Sequence, residues 1–508
     1  MPNAVCLRLQ FPYLHGIDLV IIVAYLAIVV AIGFWCRKRQ KTTRHYFLAG
    51  RNLPWWAIAG SIVATETSAI TFVSIPGIAY ARGGNFTFLQ IVFGYLIGRV
   101  VICIVFIPAY FRRNLLTIYE LLHTRFGGAV RSLAATLFIG GRTVADGVRL
   151  LLTSIVMTSV FTAFVPALPP GRAAALSIII IGGVMLLFTA TGGMEAVIWT
   201  EILHVGVYII GAIAAAVILI HAIPGGFSGA VALAAPQGKF RLFDFAPDLT
   251  HAYGFWAGII GGCFLNMGTH GTDQYMVQRY LCTTSPRKAQ LALLSSGVVI
   301  LVQFVGFLTI GMLLFAYYRP DLLAHYATLA PAAPFHSPDQ VFPDFIVKHV
   351  PSGLSGLLVA AVLAAATSPS VNSIAATALA DLYQPLVRER DDAHYLRVSR
   401  ILTIAAGLAQ ITVALVLRGT ATSAVNRALA IASLINGPIL GVFLLANFRR
   451  AGHGAAIAGM IAGISAVSAV AFATKVAWPW FTVIGAFATV AVGSLFGTVW
   501  HREEKKAE

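Results

Sequence analysis

Two polar runs interrupt long apolar stretches and hold most of the side chains that could do chemistry. Ala64-Thr65-Glu66-Thr67-Ser68-Ala69-Ile70-Thr71 surrounds one carboxylate with hydroxyls, which compete for backbone hydrogen bonds and weaken a helix locally. Asn266-Met267-Gly268-Thr269-His270-Gly271-Thr272-Asp273-Gln274 gathers two glycines, two amides, an imidazole and an acid at a similar depth. A third feature is Arg142 with Asp146, spaced i, i+4 so that they share a helix face. Either the pair neutralises itself on one helix, or Arg142 offers its planar fork to an anion. Glu201 is the remaining acid deep in an apolar stretch; Asp18 sits at the mouth of the first one, and Arg99, Arg149 and Arg427 are further cations at depth. No nucleophile or paired acid/base cluster suggests an enzyme. Five cysteines without a CxxC spacing suggest neither a disulfide framework nor a zinc site.

Those stretches decide the class. Of 508 residues, 58% are hydrophobic and only 11% charged, against about 25% charged in soluble proteins. The net charge of +16 has little water-facing surface on which to meet a nucleic acid, and 11% aromatic content argues against disorder. A soluble enzyme, a fibrous protein and a nucleic-acid binder are excluded. The composition is that of a polytopic membrane protein.

A helix needs about 20 apolar residues to cross a bilayer. About thirteen stretches qualify: 17–36, 54–79, 87–111, 129–165, 173–190, 194–222, 254–277, 288–318, 341–379, 398–417, 421–447, 451–474 and 478–499. Alternate loops divide Lys and Arg unequally, 22 on one side, beginning with Arg37, Lys38 and Arg39, and nine on the other, beginning with Arg8. The side richer in cations is expected to be cytoplasmic, which places the N-terminus outside and the C-terminus inside a cell (inner or plasma) membrane. The first apolar run is a full span with its cations after it, so it reads as a retained helix rather than a cleaved signal.

The two weak spots lie in the second and seventh spans, five apart. Paired interruptions of this kind point to a secondary transporter built on an inverted repeat, with its site at the midplane.

At these residues the chain resembles the sodium:solute symporters. The resemblance runs from Asp18 to about Asn447 and rests on seven blocks in family order: Ala64–Gly77 (ATETSAITFVSIPG), Phe88–Arg99 (FLQIVFGYLIGR), Tyr119–Gly127 (YELLHTRFG), Thr191–Glu201 (TGGMEAVIWTE), Gly271–Leu281 (GTDQYMVQRYL), Val371–Tyr383 (VNSIAATALADLY) and Gly437–Leu445 (GPILGVFLL). It implies an all-α integral membrane fold of about 13 transmembrane helices, a LeuT-type 5+5 inverted repeat with one extra N-terminal helix. In that fold residues 1–500 form a single transporter domain: an extra helix at 17–36, a first repeat at 54–222, a second at 254–447, two added helices at 451–499, and a tail at 501–508.

The resemblance also implies a site. Substrate sits between the two broken helices, which makes Glu66, Thr71, Arg142, Asn266, His270, Asp273 and Gln274 expected pocket residues, with Tyr275 an aromatic gate. Sodium takes backbone carbonyls matching Ala64, Thr67 and Val362 and two hydroxyls from the ninth span. Aligned through Asn372-Ser373, those hydroxyl positions fall on Ala365 and Ala366, so both hydroxyls are lost. Two replacements are open. Pro369 has no N–H to donate and so frees the Ala365 carbonyl; Glu66 is the other. An extra cation site would draw on Glu201 and Ser368, although a family serine is replaced at Pro369.

The expected function is cation-coupled symport, with Na⁺ as the coupling ion and a small carboxylate or acidic sugar as cargo. Proton coupling through Glu66 or Glu201 and a sodium-independent facilitator of a neutral sugar are the alternatives. Beyond cargo, coupling cation and bilayer, no cofactor, nucleic acid or obligate protein partner is expected. A sensor would need a signalling domain, for which the eight residues after Trp500 leave no room.

Overall fold

The computed structural model describes residues 15–507 except 68, 114, 166, 319–337, 366–369, 388–389, 419–433 and 449. Helices make up every regular element among the described residues, as a chain buried in hydrocarbon must satisfy its backbone within each segment. Seven helices there are long and apolar enough to cross a membrane. Of the other expected stretches, 54–79, 254–277 and 341–379 are broken, 129–165 is one uninterrupted helix, and 421–433 of the stretch 421–447 lie outside the described residues.

The chain enters through α1 (Gly16–Arg37), turns through the short α2 (Thr43–Leu48), and returns as α3 (Trp55–Glu66) and α4 (Ala69–Tyr80). α5 (Leu89–Phe111) runs back to α6 (Tyr119–Phe126); α7 (Gly128–Phe164) and α8 (Pro170–Ala222) follow, then α9 (Gly226–Ala234). Within α8 the expected spans 173–190 and 194–222 are two helical stretches that meet at a kink at Gly193, where φ 59° and ψ −155° lie outside the helical region. A Cβ at Gly193 would lie 2.5 Å from the Tyr46 carbonyl, so both the conformation and the space require glycine.

The second half carries α10 (Gly262–Asn266) between π-helical turns at Ala257–Gly261 and Met267–Gly271, then α11 (Gln274–Leu281) and α12 (Pro286–Tyr318). After these come α13 (Val341–His349), α14 (Leu354–Ala365), α15 (Val371–Thr377), α16 (Asp392–Leu417), α17 (Asn436–Leu445), α18 (His453–Ala473) and α19 (Trp480–Ala507). Asp18 is structural. It is fully buried and accepts from Gly353 N (2.7 Å), Ser355 Oγ (2.9 Å) and Gly356 N (2.8 Å), capping α14 from the first turn of α1.

Both weak spots are breaks. α3 stops at Glu66, and Thr67 leaves the helical region at φ −81°, ψ 69°. Hydroxyls bond the carbonyls there: Thr67 Oγ1 donates to Val63 O (2.7 Å), which also accepts from Thr67 N (2.9 Å), and Thr71 Oγ1 donates to Glu66 O (3.3 Å). In the second half, helix geometry loosens into the π turn at Met267–Gly271 and ends at Thr272 (φ −127°, ψ 12°). Asp273 then starts α11 by accepting from Tyr275 N at 2.8 Å. Glycine lets α5 pack directly on this broken segment: a Cβ at Gly258 would lie 2.7 Å from the Gln90 carbonyl carbon. The Tyr110 hydroxyl of α5 closes the second break by donating to the Gly271 carbonyl.

Candidate functional site

The two breaks face each other across one cavity of about 330 Å³, lined by Glu66, Thr71, Arg142, Asn266, His270, Asp273 and Tyr275 among others. Of the expected pocket residues, only Gln274 stays out of this lining. Its amide accepts from Ile118 N (3.0 Å) and donates to Leu116 O (3.1 Å), tying α11 to the turn before α6.

Glu66 is the hub on one wall. Its Oε1 accepts from Arg99 Nη2 on α5 and lies 2.7 Å from His270 Nε2. The other ring nitrogen of His270, Nδ1, sits 2.9 Å from Thr269 Oγ1 and 3.2 Å from Asn266 Nδ2. Arg99 is fully buried, so an unpaired guanidinium there would cost several kcal/mol; its partner was not foreseen from sequence.

Cations dominate the opposite wall. Arg142 Nε lies 3.6 Å from Asp146 Oδ2 on its own helix, and Arg142 Nη1 lies 3.7 Å from Asp273 Oδ2 at the second break. Arg149, one turn on, stands 3.5 Å from Asp146 Oδ1. These are charge contacts too long for hydrogen bonds. Arg142 Nε and both Asp146 oxygens make no hydrogen bond among the described residues. The Arg142 guanidinium also lies 4.0 Å from the centre of the Tyr275 ring, with Arg279 4.4 Å from the same ring. Sequence reading placed Arg142 beside Asp146 but missed Arg149 and Asp273 as partners. The i, i+4, i+7 series Arg142, Asp146, Arg149 carried part of that signal.

Arg142 and Asp273 also line a second cavity of about 220 Å³, whose other walls include Tyr119, Phe138 and Ile439. The first cavity reaches Ile75, Phe88 and Phe304, toward the face where α1 begins. The second reaches α6, toward the face where α1 ends. Arg142 and Asp273 thus line both cavities.

The cation-site residues are less assembled. Ala64 and Thr67 flank the end of α3, and Thr67 Oγ1 also lies 2.9 Å from Gln303 Oε1. Val362 lies in α14, which ends at Ala365; Ala366, Ser368 and Pro369 lie outside the described residues. Glu66, expected as a replacement ligand, has its carboxylate against Arg99 and His270. Glu201, expected at an extra cation site, is buried 2.5 Å from Arg279 Nη2 and accepts from Ser61 Oγ and Thr65 Oγ1. The positive charge facing Glu201 is therefore a guanidinium. It binds α8 to α11 and α3.

Comparison with known proteins supplies the context for this geometry. Residues 46–463 match the family model described as the Sodium:solute symporter family. The chain is 30% identical over 486 residues to the sodium/sialic acid symporter NanT of Aliivibrio fischeri, covering 93% of this chain and 91% of that one. It is 29% identical to the sodium/sialic acid symporter SiaT of Proteus mirabilis, covering 94% of each. Among solved structures, a substrate-bound, outward-open Na⁺-coupled sialic acid symporter superposes with a TM-score of 0.82 at 28% identity, covering 96% of this chain and 98% of that one.

Proposed function

Because the chain belongs to the sodium:solute symporter family, and is therefore a multi-pass membrane transporter rather than an enzyme, we propose that it couples Na⁺ to the uptake of a small carboxylate, an acidic sugar of the sialic acid kind. The observation that carries this reading is Arg142. Its guanidinium lines the cavity between the breaks, its Nε makes no hydrogen bond among the described residues, and the nearest carboxylates stand at 3.6 and 3.7 Å. A ligand carboxylate could meet the planar fork edge-on, taking two parallel N–H bonds in its plane. Tyr275 beneath it and the polar edge of Asn266 and Thr71 suit a hydroxylated ring.

The two cavities that share Arg142 and Asp273 support alternating access. In this reading the site opens to one side, then the other, as the repeats at 54–222 and 254–447 rock about the breaks. The same reading keeps thirteen crossings in one domain, with the extra helix at 17–36, the N-terminus outside and the C-terminus cytoplasmic. Na⁺ binds where Thr67 leaves α3, opposite Val362 and the Ala365 carbonyl. The contact of His270 with Glu66 favours one rival, proton coupling through that pair.

Proteoliposomes holding the purified protein test the proposal. Radiolabelled sialic acid should accumulate under an inward Na⁺ gradient and not under a K⁺ gradient. Accumulation driven equally well by a proton gradient without Na⁺ would transfer coupling to Glu66 and His270. Uptake of a neutral sugar in preference to sialic acid would overturn the anion reading.

A further inference from the structure

A larger cavity, about 670 Å³, lies away from the transport path at the face where α1 ends. Arg44 after α1, Arg51 before α3 and Arg112 at the end of α5 all line it, together with Asn52 and the first residue of α12, Pro286. No carboxylate lines it among the described residues. The acids of adjoining elements are engaged elsewhere: Glu120 accepts from the Leu116 and Thr117 amides at 2.9 Å each, and Asp392 from Thr43 Oγ1 at 2.6 Å.

Three like charges thus line one cavity, and Glu120, whose charge acts on Arg51, stands outside that lining. Burial and the neighbouring Arg44 guanidinium both press Arg51 below the usual arginine range. The backbone is strained to hold it there. Ala49, Gly50 and Arg51 follow one another at φ 48°, 65° and 59°, a left-handed run that side-chain-bearing residues adopt at a cost. The Arg51 guanidinium is oriented by donating Nη2 to Leu115 O at 2.7 Å. The 33-residue α12 also begins at this cavity, adding the partial positive charge of its N-terminus.

Hydrocarbon-facing surface leads up to it. On α5, Ile97, Val100 and Ile104 are exposed and fall on one face with Pro108 and Phe111, which line the cavity. On α12, Leu291, Val298 and Val302 form a matching exposed stripe. The two helices are joined between these stripes by Gln290 Nε2 donating to Cys103 O at 2.8 Å. The cavity is an arginine cage opening beside a pair of apolar rails.

We infer that this cavity binds the phosphate headgroup of an anionic phospholipid, whose acyl chains lie along α5 and α12. A free phosphate would use the arginines but not the rails. The site lies on the face richer in loop arginines, where anionic lipid headgroups are drawn to basic pockets between helices. This inference does not depend on which solute is carried.

The test uses the full chain purified in a neutral detergent, with native mass spectrometry and thermal shift as readouts. Phosphatidylglycerol should bind and stabilise the protein, and phosphatidylcholine and inorganic phosphate should not. Arg44→Gln with Arg112→Gln, both exposed positions, should weaken phosphatidylglycerol binding about 30-fold, at roughly fivefold per cation facing an anionic lipid. Equal stabilisation by phosphatidylcholine, full competition by millimolar inorganic phosphate, or unchanged binding in the double variant would overturn it. Should that variant misfold, the comparison of the three probes on the wild-type protein decides alone.

Discussion

His270 places its Nε2 2.7 Å from Glu66 Oε1, so the break in the second discontinuous helix is held against the break in the first. The same Glu66 oxygen takes a bond from Arg99 of α5. One carboxylate therefore joins three elements at the point where a rocking carrier must flex. Any movement that separates the breaks must also release or carry along this contact.

The first prediction follows from the burial of Arg99. Glu66→Gln keeps volume but leaves a fully buried guanidinium without its counter-charge, a loss worth about 3–5 kcal/mol. The variant should unfold at a clearly lower temperature in detergent and lose accumulation of solute. Adding Arg99→Gln should recover much of the thermal stability but not the coupling. A single variant as heat-resistant as the wild type would show that the pair does not support the fold.

Lys239 gives a second. It is buried in the loop after α9, and its Nζ donates to the Ala79, Tyr80 and Ala81 carbonyls at 2.8, 3.1 and 2.6 Å, over the Phe315 ring at 4.4 Å. It thus caps the outer end of α4, where carbonyls lack helical partners and favour a cation. Lys239→Met should cost about 1–3 kcal/mol and lower the unfolding temperature. Burial pushes the Lys239 ammonium down to about 8 from the ordinary 10.5. From pH 8 to 10.5 the unfolded chain holds a proton that the folded one has released, so wild-type stability rises with pH there. The gap between wild type and Lys239→Met should widen across that window. A gap that narrows would show that the folded lysine keeps its charge.

The two polar runs were legible because hydroxyls and glycines at membrane depth have no other reason to be there, and both became breaks. The partners of the charges were not legible. Glu66 and Arg99 are 33 residues apart, and Glu201 and Arg279 are 78 apart. Periodicity within one helix can show the Arg142–Asp146 face, but pairing between helices depends on which helices pack together. The division of α8 was legible as a gap between two hydrophobic stretches: Gly193, at φ 59° and ψ −155°, leaves the helical region between 173–190 and 194–222 without a polar run. Gln274 looked like a pocket residue by its neighbours, yet Asp273 caps α11 and leaves the next side chain to anchor α6.

The altered end of α14 carries the third prediction. Ala365 and Ala366 stand where the family resemblance puts hydroxyl ligands, and hard cations bind through oxygen. Ala365→Ser with Ala366→Ser should lower the Na⁺ concentration for half-maximal uptake by about tenfold, the scale on which groups at a metal site act. Sodium titration of uptake in proteoliposomes measures it. An unchanged midpoint would mean that carbonyl oxygens already complete the site.

The last prediction separates a binding arginine from a structural one. Arg142 stands 3.6 Å from Asp146 and 3.7 Å from Asp273, and a helix-stabilising role would need only its charge at that point. A role in gripping a carboxylate needs the fork as well, because two parallel N–H donors must reach two oxygens at once. Arg142→Lys preserves the charge and the attraction to both aspartates while removing the fork and the flat contact with Tyr275. Losing one charge-assisted hydrogen bond costs about 1.5–3 kcal/mol, so the apparent KM for an acidic sugar should rise at least about tenfold. Thermal stability should change little, since the aspartates keep a cation between them. Uptake of a neutral analogue lacking the carboxylate, if any is detectable, should be nearly the same in wild type and variant. An unchanged KM for the acid, or an equal loss for acid and neutral analogue alike, would assign Arg142 to the fold rather than to the cargo.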